Sequence, residues 1–102
     1  SISQKFSNHS RNDYVLYRKA LIFEQTSDLH GAAQLYNEIY TKYKYDILAD
    51  NSLFKYAKIC EKLNQKDEAK DAYFKLITEF PGSIFTVEAR KRLRNLSNGA
   101  TN

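Results

Sequence analysis

Residues 53–83, LFKYAKICEKLNQKDEAKDAYFKLITEFPGS, carry the pattern that decides the fold. Leu53, Ala57 and Cys60 recur at the i, i+4, i+7 spacing of one helix face. A second small or apolar stripe follows at helical spacing and comprises Ala69, Tyr73, Leu76, Ile77 and Phe80. The segment therefore predicts two amphipathic helices of about four turns each, joined by a short turn.

The same pattern occurs 37 residues earlier, in residues 16–46, LYRKALIFEQTSDLHGAAQLYNEIYTKYKYD. Aligned without a gap, the two segments share small, apolar and polar residues at matching positions. The identical pairs are Leu16/Leu53, Ala20/Ala57, Ile22/Ile59, Glu24/Glu61, Ala32/Ala69, Tyr36/Tyr73 and Thr41/Thr78. Stacked helical units require such matches, because each unit buries its apolar face against its neighbour. The sequence thus predicts two helix–turn–helix units.

Local signals set the expected helix boundaries at 13–26, 29–43, 47–63, 65–80 and 84–96. Asp28 and Asn64 stand where the second helix of each unit needs an N-cap, and Ser83 stands before the fifth helix. Pro81 ends the fourth helix because it lacks an N–H donor, and Gly82 permits a sharp turn. Four alanines are expected where helices cross closely: Ala20, Ala32, Ala57 and Ala69.

We therefore expect an all-α, right-handed solenoid of two repeats with a C-terminal capping helix. Residues 1–12 are assigned to an N-terminal tail or the remnant of a preceding repeat, and residues 13–46 and 47–83 to the two units. Residues 84–97 are the capping helix and residues 98–102 a disordered tail. Because stable solenoids usually need about three repeats, we expect Val15 and nearby apolar residues to be partly exposed. Self-association or residues 1–12 are the alternatives that would cover them.

The net charge of +4 is concentrated at the two ends of the chain. The last predicted helix carries Arg90, Lys91, Arg92 and Arg94, with Glu88 placed to pair with Arg92. Basic residues on one helix can neutralise phosphates, so nucleic acid or another anionic surface is one candidate partner. The favoured alternative is a solvated, partly paired face of a capping helix.

Arrangements of residues that support catalysis or metal binding are sparse. His9 and His30 are isolated, and Asp28 with His30 offers only two metal ligands in a turn. No glycine-rich phosphate loop and no nucleophile–base arrangement is present, so we expect neither an enzyme nor a cofactor. Cys60 is the single cysteine and is expected in the core. No apolar run has the roughly 18–20 residues of a membrane span.

These residues resemble the tetratricopeptide repeat family. The resemblance rests on a small residue within the first helix, an alanine opening the second and an aromatic four positions later, with a closing proline in unit two. Those are Ala57, Ala69, Tyr73 and Pro81 in the second unit, and Ala20, Ala32 and Tyr36 in the first. Lys44 stands where the first unit would have its proline.

Residues 46–94 are similar to a narrower group of bacterial envelope proteins with these repeats. These are the periplasmic protein associated with the Tol-Pal system and the lipoprotein of the outer-membrane β-barrel assembly machinery. The shared feature is FPGS at a helix end, residues 80–83, followed by a helix containing EAR, residues 88–90. The chain looks closest to the C-terminal part of large tetratricopeptide proteins of Bacteroidetes-type bacteria. This resemblance implies a piece of a larger scaffold on the periplasmic side of the envelope, with the cytoplasm as the alternative.

The family resemblance also implies where a protein or peptide partner would bind. Such arrays bind partners on the concave surface formed by the first helix of each unit. The matching positions are Tyr17, Leu21, Glu24, Phe54, Lys58 and Glu61. An aromatic strip of Tyr17 and Phe54 would then anchor the partner segment. The alternative left open is that both rings pack between neighbouring helices.

Overall fold

A computed structural model describes residues 2–44 and 48–99, with side chains described for 13–44 and 48–97. Five α-helices make up the regular structure of this part of the chain. They are α1 (Ile2–Gln25), α2 (Leu29–Lys42), α3 (Ala49–Lys62), α4 (Lys66–Glu79) and α5 (Thr86–Gly99). Each helix packs against the next one along the chain. The predicted all-α stack of helix–turn–helix units is confirmed.

The helix ends differ from the predicted ones mainly at the two termini. α1 begins at Ile2, eleven residues before the predicted start, and no glycine or proline interrupts it up to Gln25. α5 begins two residues later than predicted and continues to Gly99, so it includes the first two residues of the predicted tail. The rest of that tail and residues 45–47 lie outside the described residues. The assignment of residues 1–12 to a tail or a preceding repeat stays a prediction.

The turn inside each unit has the same backbone geometry. Ser27 and Asn64, 37 positions apart, both have positive φ angles, of 68° and 63°. The residue after each of them donates its N–H back into the preceding helix, Asp28 to the carbonyl of Phe23 and Gln65 to that of Cys60. Such hydrogen bonds satisfy carbonyls that a helix end leaves unpaired.

The capping predictions are confirmed for Asp28 and wrong for Asn64. The Asp28 carboxylate accepts a hydrogen bond from the Gly31 N–H at 3.1 Å. Asn64 instead supplies the left-handed residue that ends α3, a conformation that asparagine tolerates better than most residues. Gln65 takes the N-cap position of α4 without a side-chain cap bond. Ser83 accepts from the Phe85 N–H at 3.1 Å, just before α5.

Two core clusters lie along the stack and are joined by residues that reach across the units. The first forms around Ala20, Ala32, Tyr36 and Ile39, and it includes Ile59 from α3. The second contains residues of α3, α4 and α5 together with Tyr40 from α2: Tyr40, Leu53, Phe54, Ala57, Cys60, Ala69, Ala72, Tyr73, Leu76 and Ala89. The four alanines expected at helix crossings are completely buried, and so is Cys60. Each cluster therefore includes residues of both units.

A polar contact between α2 and α4 reinforces this joint. The Tyr40 hydroxyl donates a hydrogen bond to the Glu79 carboxylate. The Lys44 ammonium lies 3.1 Å from the same carboxylate. The hydrogen bond from Tyr40 lowers the pKa of Glu79, with a further contribution from Lys44. Because Glu79 is largely hydrated, we attribute only a small part of the folding free energy to this contact.

The outer surface of α1 carries uncovered apolar side chains. Tyr14 is 52% exposed, Val15 48% and Ile22 52%. The predicted exposure of Val15 and its apolar neighbours is confirmed. Self-association through this end of the stack stays a prediction.

Candidate functional site

The candidate binding surface lies on the first helix of each unit, and we call it the α1–α3 face. Its residues are Tyr17, Leu21 and Glu24 on α1, and Phe54, Lys58 and Glu61 on α3. Five of the six side chains are partly exposed, whereas Phe54 is buried, with 8% of its surface exposed. The α1–α3 face therefore combines accessible apolar and charged groups with one aromatic ring that belongs to the core.

The two predicted aromatic anchors pack against the second helix of their own unit. Tyr17 meets Tyr36 edge-to-face, with ring centroids 5.7 Å apart. Phe54 meets Tyr73 in the same way at 6.0 Å, and it also stacks on Phe85 at 4.9 Å. The alternative that the rings pack between helices thus describes Phe54, because intramolecular contacts cover it. Tyr17 remains partly accessible.

A hydrogen bond joins α1 to α3 on this face. The Asn51 side-chain amide donates to the Tyr17 hydroxyl at 3.0 Å. Burial raises the pKa of the Tyr17 phenol, so the ring stays neutral near pH 7. The hydrogen bond fixes the Tyr17 ring, and Leu21 and Glu24 lie one and two helical turns further along α1.

Glu61, at the other end of the face, lies in a hydrogen-bonded network between α3, α4 and α5. The Tyr73 hydroxyl donates to the Glu61 carboxylate. The Arg92 guanidinium donates to the same oxygen at 3.2 Å, and its Nε donates to Glu88 at 2.9 Å. Burial and the neighbouring Glu61 carboxylate raise the pKa of the Tyr73 phenol. The network docks the capping helix on the second unit and uses Glu61 for that purpose.

The first unit contains the same glutamate and tyrosine, but without the network. Glu24 corresponds to Glu61, Tyr36 to Tyr73 and Lys55 to Arg92, each at the 37-residue offset. The Tyr36 hydroxyl is completely buried and has no hydrogen bond of normal geometry. Burial and the neighbouring Glu24 carboxylate raise the pKa of the Tyr36 phenol. The Lys55 ammonium lies 5.9 Å from the centroid of the Tyr36 ring.

The sequence analysis did not identify Asn51 and Lys55 as neighbours of the α1–α3 face. It also did not identify the buried hydroxyls of Tyr36 and Tyr73 beneath it. The signal was present, because the 37-residue offset that pairs Glu24 with Glu61 also pairs Lys55 with Arg92. Extending the alignment from the two units into α5 would have found it.

The alternative basic surface on α5 is only partly available. Arg90, Lys91 and Arg94 are exposed, whereas Arg92 is bound to Glu61 and to Glu88. The predicted pair between Glu88 and Arg92 is therefore confirmed. Three exposed cations, on about one and a half turns of α5, therefore remain available to bind an anionic partner.

The described residues contain no cluster of three or more side chains suited to hold a metal ion. Asp28 acts as a helix cap, and His30 is exposed beside it. Among the described helices, none combines the length and the apolar character that crossing a membrane requires.

Residues 51–83, from the beginning of α3 to the turn after α4, match the model of the tetratricopeptide repeat. Comparison with curated proteins and with solved structures gave no match. Tetratricopeptide repeats are protein–protein interaction modules and are typically non-catalytic. Together with the five stacked helices, the match supports a tetratricopeptide repeat protein with the all-α solenoid fold of that family.

Proposed function

We propose that this chain is a non-catalytic scaffold module that docks a segment of a partner protein on its α1–α3 face. We further propose that it is a piece of a larger bacterial envelope protein on the periplasmic side, with the cytoplasm as the alternative. What supports this setting is the resemblance of the FPGS and EAR motifs within residues 80–90 to those of envelope tetratricopeptide proteins. The repeat match at residues 51–83 supports a protein partner in general.

The observation that carries the docking proposal is the arrangement of Tyr17, Leu21, Glu24 and Lys58. These partly exposed side chains lie on consecutive first helices, which the Tyr17–Asn51 hydrogen bond holds together. Apolar surface bordered by charged groups is typical of sites that bind peptides. Because the buried aromatic pairs are part of the core, the surface is preformed and loses little entropy on binding.

Site-specific photocrosslinking tests this proposal with a matched control. A benzophenone amino acid replaces Leu21 in one variant and its neighbour Ile22, 52% exposed, in another. Successive residues of a helix point about 100° apart, so the two probes sample different surfaces. In cells of the native organism we expect a discrete adduct to a partner protein from position 21 and no adduct to that partner from position 22. Equal crosslinking from both positions would argue against the α1–α3 face.

The identified partner then allows a quantitative test. We expect Leu21→Ala to weaken binding by about fivefold or more, the scale of a contributing interface residue. Ile22→Ala is the control and should bind at wild-type strength. Unchanged affinity of Leu21→Ala, with the protein folded, would remove Leu21 from the site.

A second candidate function is favoured by the exposure of Arg90, Lys91 and Arg94 on α5. These cations could bind nucleic acid or another anionic surface. Because Arg92 already pairs with two carboxylates, we expect no gel shift at micromolar protein and about 150 mM salt, where nonspecific binding has Kd values of ~10⁻⁴ to 10⁻⁶ M. A shift that salt weakens and that Arg90→Gln/Lys91→Gln/Arg94→Gln abolishes would favour this second function.

A further inference from the structure

We propose that Glu24 binds an arginine side chain of the partner segment, as Glu61 binds Arg92 within the protein. The inference rests on the proposed function of the α1–α3 face and specifies the chemistry of one contact there. The inference follows from comparing Glu24 with Glu61, which occupy equivalent positions of the two units.

In the second unit, the glutamate–tyrosine pair binds a cation. Glu61 receives the Tyr73 hydroxyl and the Arg92 guanidinium on one carboxylate oxygen. About a quarter of the Glu61 side chain and a third of the Arg92 side chain remain exposed. The carboxylate, the phenol and the guanidinium thus form a compact, charge-balanced group at a partly exposed position.

The first unit has the acceptor but lacks the bound cation. Among the described side chains, Glu24 forms no ion pair, although it is partly exposed. The Tyr36 hydroxyl is fully buried and has no hydrogen bond of normal geometry, but it is near enough to Glu24 for that carboxylate to raise the phenol pKa. Buried hydroxyls are nearly always hydrogen-bonded in native proteins, and Glu24 is the neighbouring acceptor, so the phenol can hold the Glu24 carboxylate in place when a ligand binds. Because burial and Glu24 raise the phenol pKa, Tyr36 keeps the proton that it would donate.

Lys55 occupies the position of Arg92 but does not reproduce its contacts. Its ammonium lies over the Tyr36 ring, 5.9 Å from the centroid, and forms no ion pair among the described side chains. Lysine has a single cationic nitrogen, whereas the planar guanidinium of arginine offers several N–H donors in a fixed fork. The first unit therefore has a carboxylate near a buried phenol, as in the second unit, and an internal cation that does not pair with that carboxylate.

The surroundings of Glu24 favour arginine over other partner groups. Arginine can stack on an aromatic face while it hydrogen-bonds a carboxylate, and Glu24 is near enough to Tyr17 to contribute to the raised pKa of its phenol. The other cation on the face, Lys58, lies 5.4 Å from the centroid of the Phe54 ring on α3. An incoming guanidinium would thus meet the unpaired carboxylate on α1.

The test uses two blocked pentapeptides that differ in one charge. Acetyl-Ala-Ala-Arg-Ala-Ala-amide is titrated into ¹⁵N-labelled protein and compared with the citrulline peptide, a neutral isostere. We expect the arginine peptide to bind about tenfold more tightly, the scale of a charge-assisted hydrogen bond compared with a neutral one. Its chemical-shift changes should centre on Tyr17, Glu24 and Asn51.

Variants locate the site and exclude an internal explanation. Glu24→Gln should remove the preference for arginine, while Glu38→Gln on α2, whose carboxylate pairs with Lys42, should keep it. Lys55→Ala should keep the arginine preference or strengthen it. Binding that appears only in Lys55→Ala would overturn the proposal, because it would mean that Lys55 already satisfies Glu24.

The remaining outcomes separate this inference from the proposed function. Equal binding of the arginine and citrulline peptides on the α1–α3 face would overturn the arginine contact and leave docking on that face in place. Failure of the arginine peptide to bind at millimolar concentration would also overturn the contact. If the probe at position 21 formed no adduct with a partner protein, that result would instead contradict the proposed function.

Discussion

Replacing Phe54 with alanine is expected to destabilise the protein by about 3–5 kcal/mol, the usual cost of removing a buried phenylalanine. Only 8% of Phe54 is exposed, and its ring stacks on Phe85 while meeting Tyr73 edge-to-face. The cavity would open where α3, α4 and the segment before α5 meet. Small domains have total stabilities of only about 5–15 kcal/mol, so the variant would be close to unfolding at room temperature.

Urea denaturation followed by circular dichroism measures this effect. Phe74→Ala is the matched control, because Phe74 on α4 is also a phenylalanine but is 55% exposed. We expect the midpoint of Phe74→Ala to lie close to that of the wild type. Similar midpoints for the two variants would contradict the packing of Phe54 described here.

This prediction changes how the α1–α3 face should be probed. Alanine at Phe54 would reduce partner capture by loosening the fold, so such a loss would not locate a binding site. Leu21 and Glu24 are better positions for mutation, because both are partly exposed and lie outside the two buried core clusters.

The fold could be predicted from the sequence because its strongest signals are local and repeated. Apolar residues at helical spacing define the helices, and the repeated alanines mark where they cross. Pro81 and Gly82 mark the end of the second unit. Each of these signals acts through the backbone or through a neighbour close in sequence, so pattern alone reveals it.

The misjudged details depend on contacts that the local pattern does not contain. Tyr17 and Phe54 occupy equivalent positions, yet Phe54 is buried because Phe85 packs over it. Asn64 fits both an N-cap and a left-handed helix end, and the residue type alone does not distinguish them. The start of α1 was missed because residues 2–12 lack a clear apolar stripe, although they contain no helix breaker.

For the same reason, only part of the candidate site could be predicted from the sequence. The six positions of the α1–α3 face follow from the repeat register, but the register says nothing about charge compensation across helices. The pairing of Glu61 with Arg92 joins residues 31 positions apart, on α3 and α5. Only the three-dimensional arrangement shows that Glu61 is occupied and that its equivalent, Glu24, lacks such a partner among the described side chains.

The second large effect is expected for Ala57→Leu, which should destabilise the protein by about 1–3 kcal/mol or more through overpacking. Ala57 on α3 and Ala69 on α4 are both completely buried and belong to the same core cluster. Three additional carbon atoms at position 57 have no free volume to enter, so the two helices must separate or the side chain must adopt a strained rotamer. Urea denaturation should show a lower midpoint with an unchanged slope.

Lys62→Leu provides the control for the added leucine itself. Lys62 lies in the last turn of the same helix and is exposed, so leucine there should shift the stability by no more than about 0.5 kcal/mol. A lower midpoint for Ala57→Leu alone would show that steric crowding, and not the apolar character of leucine, is responsible. If Ala57→Leu were as stable as the wild type, α3 and α4 would not cross at these alanines. The register that places Leu21, Glu24 and Lys58 on one face would then be wrong as well, because the same repeat alignment assigns both sets of positions.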